Sequence, residues 1–147
     1  MLVLKFVVVA AAALAPWAAA AQNLKKPPYP FEESALKTTA TGLKYAVLAP
    51  GDGAVVKAGD RVKVYYHGVL DDGKVFDSNF GFDAFGFEVG KKEVIPGWDE
   101  GLTYLREGDK AVLVVPPDLA YGNRQIGNIP PNSTLTFHVF VKKVASK

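Results

Sequence analysis

The sequence predicts an α+β domain in which an antiparallel sheet of about five strands curls around one short helix. Three observations carry this prediction. Several segments alternate apolar and polar residues with period two, and a single segment spaces its apolar residues at i, i+4 and i+7. Turn residues separate these segments at short intervals. A lone short helix beside such strands buries its apolar stripe only if the sheet bends round it.

Each element follows from its own residues. Leu43, Tyr45 and Val47 alternate with Lys44 and Ala46 until Pro50-Gly-Asp-Gly53 stops them, which predicts a strand and a turn. Val62, Val64 and Tyr66 share one face of a second strand, with Arg61, Lys63, Tyr65 and His67 on the other and Gly68 read as its interruption. Asp71-Asp-Gly73 predicts a hairpin turn into Val75-Phe76-Asp77, and Ser78 to Phe87 a loop that runs into another strand. Pro96 opens the helix, acids occupy its first turn, Trp98, Leu102 and Leu105 form its apolar stripe, and Gly108 lies beyond its end. The apolar run Ala111 to Val115, closed by Pro116-Pro117, reads as a central strand. Leu135, Phe137, Val139 and Val141 alternate against Thr136, His138 and Lys142 to give the last one.

The 147 residues, 49% hydrophobic and 12% aromatic, suffice for one packed domain. Seventeen basic against fifteen acidic residues leave a net charge of +2, which gives no basic face for nucleic acid. The absence of cysteine excludes disulfides, thiolate nucleophiles and thiolate zinc sites. Residues 1–21 read as a signal peptide: Lys5 in a short basic start, an apolar run from Phe6 to Leu14, and Ala18-Ala-Ala-Ala21 at the cleavage site. The apolar run is shorter than the ~20 residues that cross a bilayer. Export to the bacterial periplasm is the expected fate, with secretion as the second reading. Residues 22–39, with Lys25-Lys-Pro-Pro-Tyr-Pro30 and about one helical turn, are expected to form a loosely held arm, and residues 40–147 the domain.

Conventional catalytic groups are missing. The sequence has no GxSxG, HExxH or Walker loop. His67 and His138 fall in phase with polar strand faces, so both are expected to be solvated surface histidines rather than metal ligands, since a metal needs three or four convergent donors. No metal and no cofactor are expected. Asp71-Asp72 is accounted for by its turn. What stands out is a set of aromatics in separate segments: Tyr66, Phe76, Phe85, Phe87, Trp98, Tyr121 and Phe137. Any one of them suits a core. As a group, with two phenol hydroxyls that need partners if buried and Asp77 beside Phe76, they describe an apolar cup with a few polar groups on its walls.

These residues lie in strings that resemble the FKBP family, the macrolide-binding immunophilins, from about Gly42 to Val144. The strings are Gly42-Leu-Lys-Tyr45, Pro50-Gly-Asp-Gly53, Val64-Tyr-Tyr-His-Gly68, Leu70-Asp-Asp-Gly-Lys-Val-Phe-Asp-Ser78, Phe85-Gly-Phe-Glu-Val-Gly90, Glu93-Val-Ile-Pro-Gly-Trp-Asp-Glu-Gly101, Pro117-Asp-Leu-Ala-Tyr-Gly122 and Ile129-Pro-Pro-Asn-Ser-Thr-Leu135. The resemblance implies a five- to six-stranded half-barrel around one helix, a peptidyl-prolyl cis/trans isomerase, and a prolyl pocket between helix and sheet. Trp98 would form the floor, with Tyr66, Phe76, Phe87, Val94, Ile95 and Phe137 as walls and Phe85 and Ile129 at the rim. Tyr121 and the Ile95 N–H would bind carbonyls of the ligand, and Asp77 would face the twisting imide.

Three departures from the family pattern stand out. The segment Ser78 to Ala84 lacks the arginine that pairs with the aspartate in familiar members, which leaves Tyr66 to orient Asp77. The loop Gly122 to Asn128 differs in length and content. His138 and Phe140 replace residues that are commonly acidic, a change expected to touch only the surface.

The implied partners are proline-containing polypeptides and rapamycin-type macrolides, bound by a monomer. The alternative is a periplasmic chaperone or binding module with weak or incidental isomerase activity. The exposed-looking Phe80 and Phe82 favour it, because apolar residues at a cleft mouth suit unfolded clients.

Overall fold

The computed structural model describes residues 24–146, so the predicted signal segment lies outside the described residues. Seven antiparallel strands form one sheet: β1 (Lys37–Thr38), β2 (Lys44–Ala49), β3 (Arg61–Val69), β4 (Val75–Ser78), β5 (Phe85–Glu88), β6 (Lys110–Val115) and β7 (Leu135–Ala145). Their order is β1-β2-β6-β7-β3-β4, and β5 pairs with β3 on the same edge as β4. Among the described residues, the curled sheet and single α-helix agree with the sequence prediction. The strand count is higher because β1, only two residues long, offers no periodicity to read.

Helix α1 (Pro96–Gly101) continues as a 3-10 turn, Leu102–Tyr104. Two close approaches seat it on the sheet. A Cβ on Gly97 would lie 2.4 Å from Val115 Cγ1, and one on Gly101 would lie 3.1 Å from the Leu113 methyls. Glycine at these positions lets the helix backbone rest on β6. Trp98, Leu102 and Leu105 are then buried in one core cluster with Leu113, Leu135 and Val139. Full burial of a leucine side chain contributes about 2 kcal/mol, so this contact anchors the core. Asp99 fixes the approach to the helix by accepting the N–H groups of Gly90 at 2.9 Å and Lys92 at 3.0 Å.

Gly68 does not interrupt β3, which runs through it to Val69. The register on β4 slips between Gly68 and Val69 so that Phe76 bulges out, and its ring lies on Gly68. A Cβ there would meet Phe76 Cζ at 2.4 Å. The glycine is present because an aromatic ring occupies the space of its side chain.

The arm is not loosely held. Its Leu24 and Tyr29 are 1% and 3% exposed, Lys110 Nζ donates to the Leu24 carbonyl at 2.7 Å, and β1 joins the sheet edge beside β2. The expected helical turn is a 3-10 turn at Glu33–Ala35. His138 is likewise no surface residue: at 4% exposure it lies under the arm, with Nδ1 accepting the Tyr29 N–H at 3.1 Å. The rings of Tyr29 and His138 meet edge to face at 5.7 Å. His67, its cross-strand partner, is half-buried and bonds Ser78 Oγ through Nδ1 at 3.1 Å. The change at His138 therefore reaches well below the surface. Alternation places it correctly on the outward face, but that face is roofed by the arm.

Candidate active site

Between α1 and the concave face of the sheet lies an open cleft of about 210 Å³. Its floor is Trp98, 4% exposed and delivered by the first turn of α1. The Tyr66 and Phe137 rings stand edge-on to the indole at 5.1 and 5.2 Å, and Phe76 stands edge-on to Phe137 at 5.5 Å. Edge-to-face contacts of this kind hold rings in fixed orientations. Val94 and Ile95, from the segment leading into α1, close one side, and Phe85 from β5 and Tyr121 complete the wall.

Two polar features enter this apolar setting. Tyr66 Oη donates to Asp77 Oδ2 at 2.7 Å, the bond that the missing arginine leaves to this residue. Burial, then the hydrogen bond and the negative charge of Asp77, push the Tyr66 phenol well above its ordinary value. It stays a donor throughout the physiological range. The second feature is a pair of uncommitted donors: among the described residues, neither the Ile95 N–H nor the Tyr121 hydroxyl makes a hydrogen bond, although the Ile95 carbonyl accepts from Trp98 and Asp99. Trp98 Nε1 is buried and also lacks a partner among the described residues.

The structure brings Tyr66, Phe76, Asp77, Phe85, Val94, Ile95, Trp98, Tyr121 and Phe137 around one cleft. Phe87 lies elsewhere: it is 1% exposed, stacked behind Phe85 at 5.5 Å and tilted against Trp98 at 5.8 Å, so it backs the wall. Ile129, 6% exposed, belongs to the core cluster rather than to the cleft walls. Glu93 lines the cleft without having been singled out from sequence. Its carboxylate accepts the Glu88 N–H at 3.2 Å, tying the Val94–Ile95 segment to the end of β5. Its position directly before Val94 was the available signal. No cluster of metal-ligating side chains exists among the described residues.

Among the described residues the cleft thus offers no cluster of metal-ligating side chains, but an aromatic floor flanked by unpaired donors and the carboxylates of Asp77 and Glu93. The family model for the FKBP-type peptidyl-prolyl cis-trans isomerase matches residues 53–142. The chain belongs to that family. FKBP-type enzymes accelerate rotation about X–Pro bonds, and this is the activity of the chain, favoured over a binding module by the family and by the names of its relatives. Fkbp12 of Drosophila melanogaster, a peptidyl-prolyl cis-trans isomerase, is 51% identical over 106 residues, covering 70% of this chain and 98% of that one. The FKBP-type isomerase FkpA of Escherichia coli K12 is 46% identical over 109 residues, 74% of this chain but only 40% of its own length. The crystal structure of AtFKBP13 superposes with a TM-score of 0.71 at 35% identity, covering 75% of this chain and 98% of that one.

Proposed function

We propose that the chain is exported to the periplasm, acts there as a monomer on proline-containing segments of other exported proteins, and isomerises them by binding the twisted imide in the Trp98 cleft. The observation that supports this most is the pairing of an aromatic floor with two free donors and the Tyr66–Asp77 pair in one open cleft. Planar X–Pro bonds interconvert over ~18–20 kcal/mol because rotation breaks amide resonance. No covalent step is needed. A twisted imide is less dipolar than a planar one, so a water-poor cup prefers it to the ground state, and each ~1.4 kcal/mol of that preference gives tenfold in rate.

The residues divide the work. Trp98, Phe76, Phe137 and Phe85 surround the pyrrolidine ring and exclude water. The Ile95 N–H and the Tyr121 hydroxyl bind the flanking carbonyls and hold the peptide while one amide turns. Asp77, held by Tyr66, faces the rotating carbonyl carbon. Phe87 backs the wall, and Ile129 supports the loop that carries the rim. The same cleft suits rapamycin-type macrolides.

The test is a protease-coupled isomerisation assay on a proline-containing tetrapeptide, with protein beginning at Gln22. Acceleration that a rapamycin-type macrolide abolishes is expected. Folded protein that leaves the uncatalysed rate unchanged would sink the proposal. Fractionation of cells expressing the full chain tests export, and sedimentation tests the monomer.

A further inference from the structure

Strand β3 has a break along one edge. It pairs with β4 up to His67 and Ser78, and with β5 from Val64 and Phe85, so the edge between these two pairings faces no strand. Backbone groups in such a gap need partners from elsewhere. Asn79, the first residue after β4, supplies most of them, and Ser78 Oγ adds a donor to the Tyr66 carbonyl at 3.3 Å. The Asn79 N–H donates to the Tyr66 carbonyl at 3.1 Å, its Oδ1 accepts the Tyr66 N–H at 2.7 Å, and its Nδ2 donates to the Val64 carbonyl at 3.1 Å. Nδ2 also donates to the Asp83 carbonyl at 3.2 Å, across the loop that returns to Phe85.

This one side chain therefore ties the Tyr66 stretch of β3 to the loop that leads into β5. Asp77 lies two residues before it in β4, Phe85 lies two residues after Asp83, and Tyr66 carries the hydroxyl that holds Asp77. Among the described residues, that hydroxyl is the one hydrogen-bond partner of the Asp77 carboxylate, so the seat of the Tyr66 backbone decides where the carboxylate stands. We propose that Asn79 is a positioning residue for isomerisation, a carboxamide splice between β4 and β5 that sets the spacing of Tyr66, Asp77 and Phe85. The proposal rests on the reading that the Tyr66–Asp77 pair serves the reaction.

The experiment is a double-mutant cycle with kcat and KM measured separately, at a temperature where circular dichroism shows every protein folded. Asn79→Ala is expected to lower kcat about tenfold with KM within about twofold, because a displaced carboxylate affects the turning imide more than capture of the proline ring. Tyr66→Phe is expected to lower kcat similarly, and the double variant to lose no more than about twofold beyond the larger single loss, as residues acting through one another do. Asn79→Ala with normal kcat, or losses that multiply in the double variant, overturns the proposal. A normal kcat in Tyr66→Phe removes the reading beneath it, a separate and recognisable failure. If Asn79→Ala does not fold, Asn79→Asp takes its place. It keeps the acceptor for the Tyr66 N–H but sets a second oxygen against the Val64 and Asp83 carbonyls, and a normal kcat in that variant equally overturns the proposal.

Discussion

Acid should release the arm from the domain, and His138 sets the scale. Burial, followed by the neighbouring His67, lowers its imidazole from 6.5 to about 4, and its Nδ1 is an acceptor for the Tyr29 N–H. A proton on Nδ1 would bring two donors face to face beneath the arm. Once the contact opens, the ring regains its ordinary affinity for protons. The open or unfolded state thus binds the proton more tightly, so stability is full above about pH 6.5 and falls as the pH drops through 4. With 6.5 and about 4 as end points, the linkage relation gives a loss of about 2 kcal/mol at pH 5 and about 3 kcal/mol at pH 4. At about 4 °C per kcal/mol for a domain of this size, the first figure is a drop of about 8 °C in Tm. The measurement is thermal unfolding at pH 7, 6, 5 and 4 for the wild type and for His138→Gln, whose amide oxygen still accepts but does not titrate in this range. Burial also lowers His67, and the comparison between the two proteins cancels its share and that of the carboxylates. A wild-type curve steeper than that of the variant between pH 6.5 and 4 is expected, together with an imidazole proton titration near 4. Parallel curves, or an imidazole titrating near 6.5, would refute the reasoning.

Three further outcomes follow from single contacts. Gly68→Ala places a methyl where the Phe76 ring lies, so it should cost about 1–3 kcal/mol in stability and also lower kcat/KM, since Phe76 is a cleft wall; denaturant unfolding and turnover read the two effects. Tyr121→Phe removes a free hydroxyl without altering the wall, and is expected to cost about tenfold in kcat/KM with Tm unchanged. Asp77→Ala leaves the Tyr66 hydroxyl without its acceptor and should reduce kcat by a similar factor of about ten, while a macrolide titration shows the apolar cup still binding.

Much of this architecture is legible in the sequence because period and punctuation are local signals. The alternation of Leu135, Phe137, Val139 and Val141 reports the inward face of β7, and the i, i+4, i+7 spacing from Trp98 to Leu105 reports the helix stripe. The aromatics that meet over Trp98 are legible only as a group, through the motif strings. What escapes has a non-local cause. Gly68 reads as a break because glycine usually weakens strands, whereas the ring that requires it arrives from β4. His138 reads as solvated because alternation distinguishes two faces of a sheet without saying whether the outer one is roofed. The arm reads as loose because Lys25-Lys-Pro-Pro-Tyr-Pro30 has no period, although Leu24 and Tyr29 are buried and meet Lys110 of β6 and His138 of β7, strands far away in the sequence. Asn79 reads as an ordinary turn residue, since the gap it fills comes from pairings made by other strands.

The two faces of the sheet are also coupled through their alternation. On β3, Tyr66 points into the cleft and His67 points outward; on β4, Asp77 and Ser78 do the same. The inward pair shares the Tyr66–Asp77 hydrogen bond and the outward pair the His67–Ser78 bond, one residue apart on the same two strands. Neither can shift its register without moving the other. His67 in turn faces His138 across β7 with ring centroids 6.3 Å apart, and the arm closes over His138. A contact on the convex side therefore steadies the strand positions that the cleft depends on, although none of the arm's described residues lines the cleft. On this argument Tyr29→Ala should loosen the outward row before it disturbs the aromatic cup, and amide exchange at His67 and Ser78 should rise ahead of exchange at Phe137. Faster exchange at Phe137 first, with β3 and β4 still protected, would show that the arm acts on the core directly and that the shared register carries nothing.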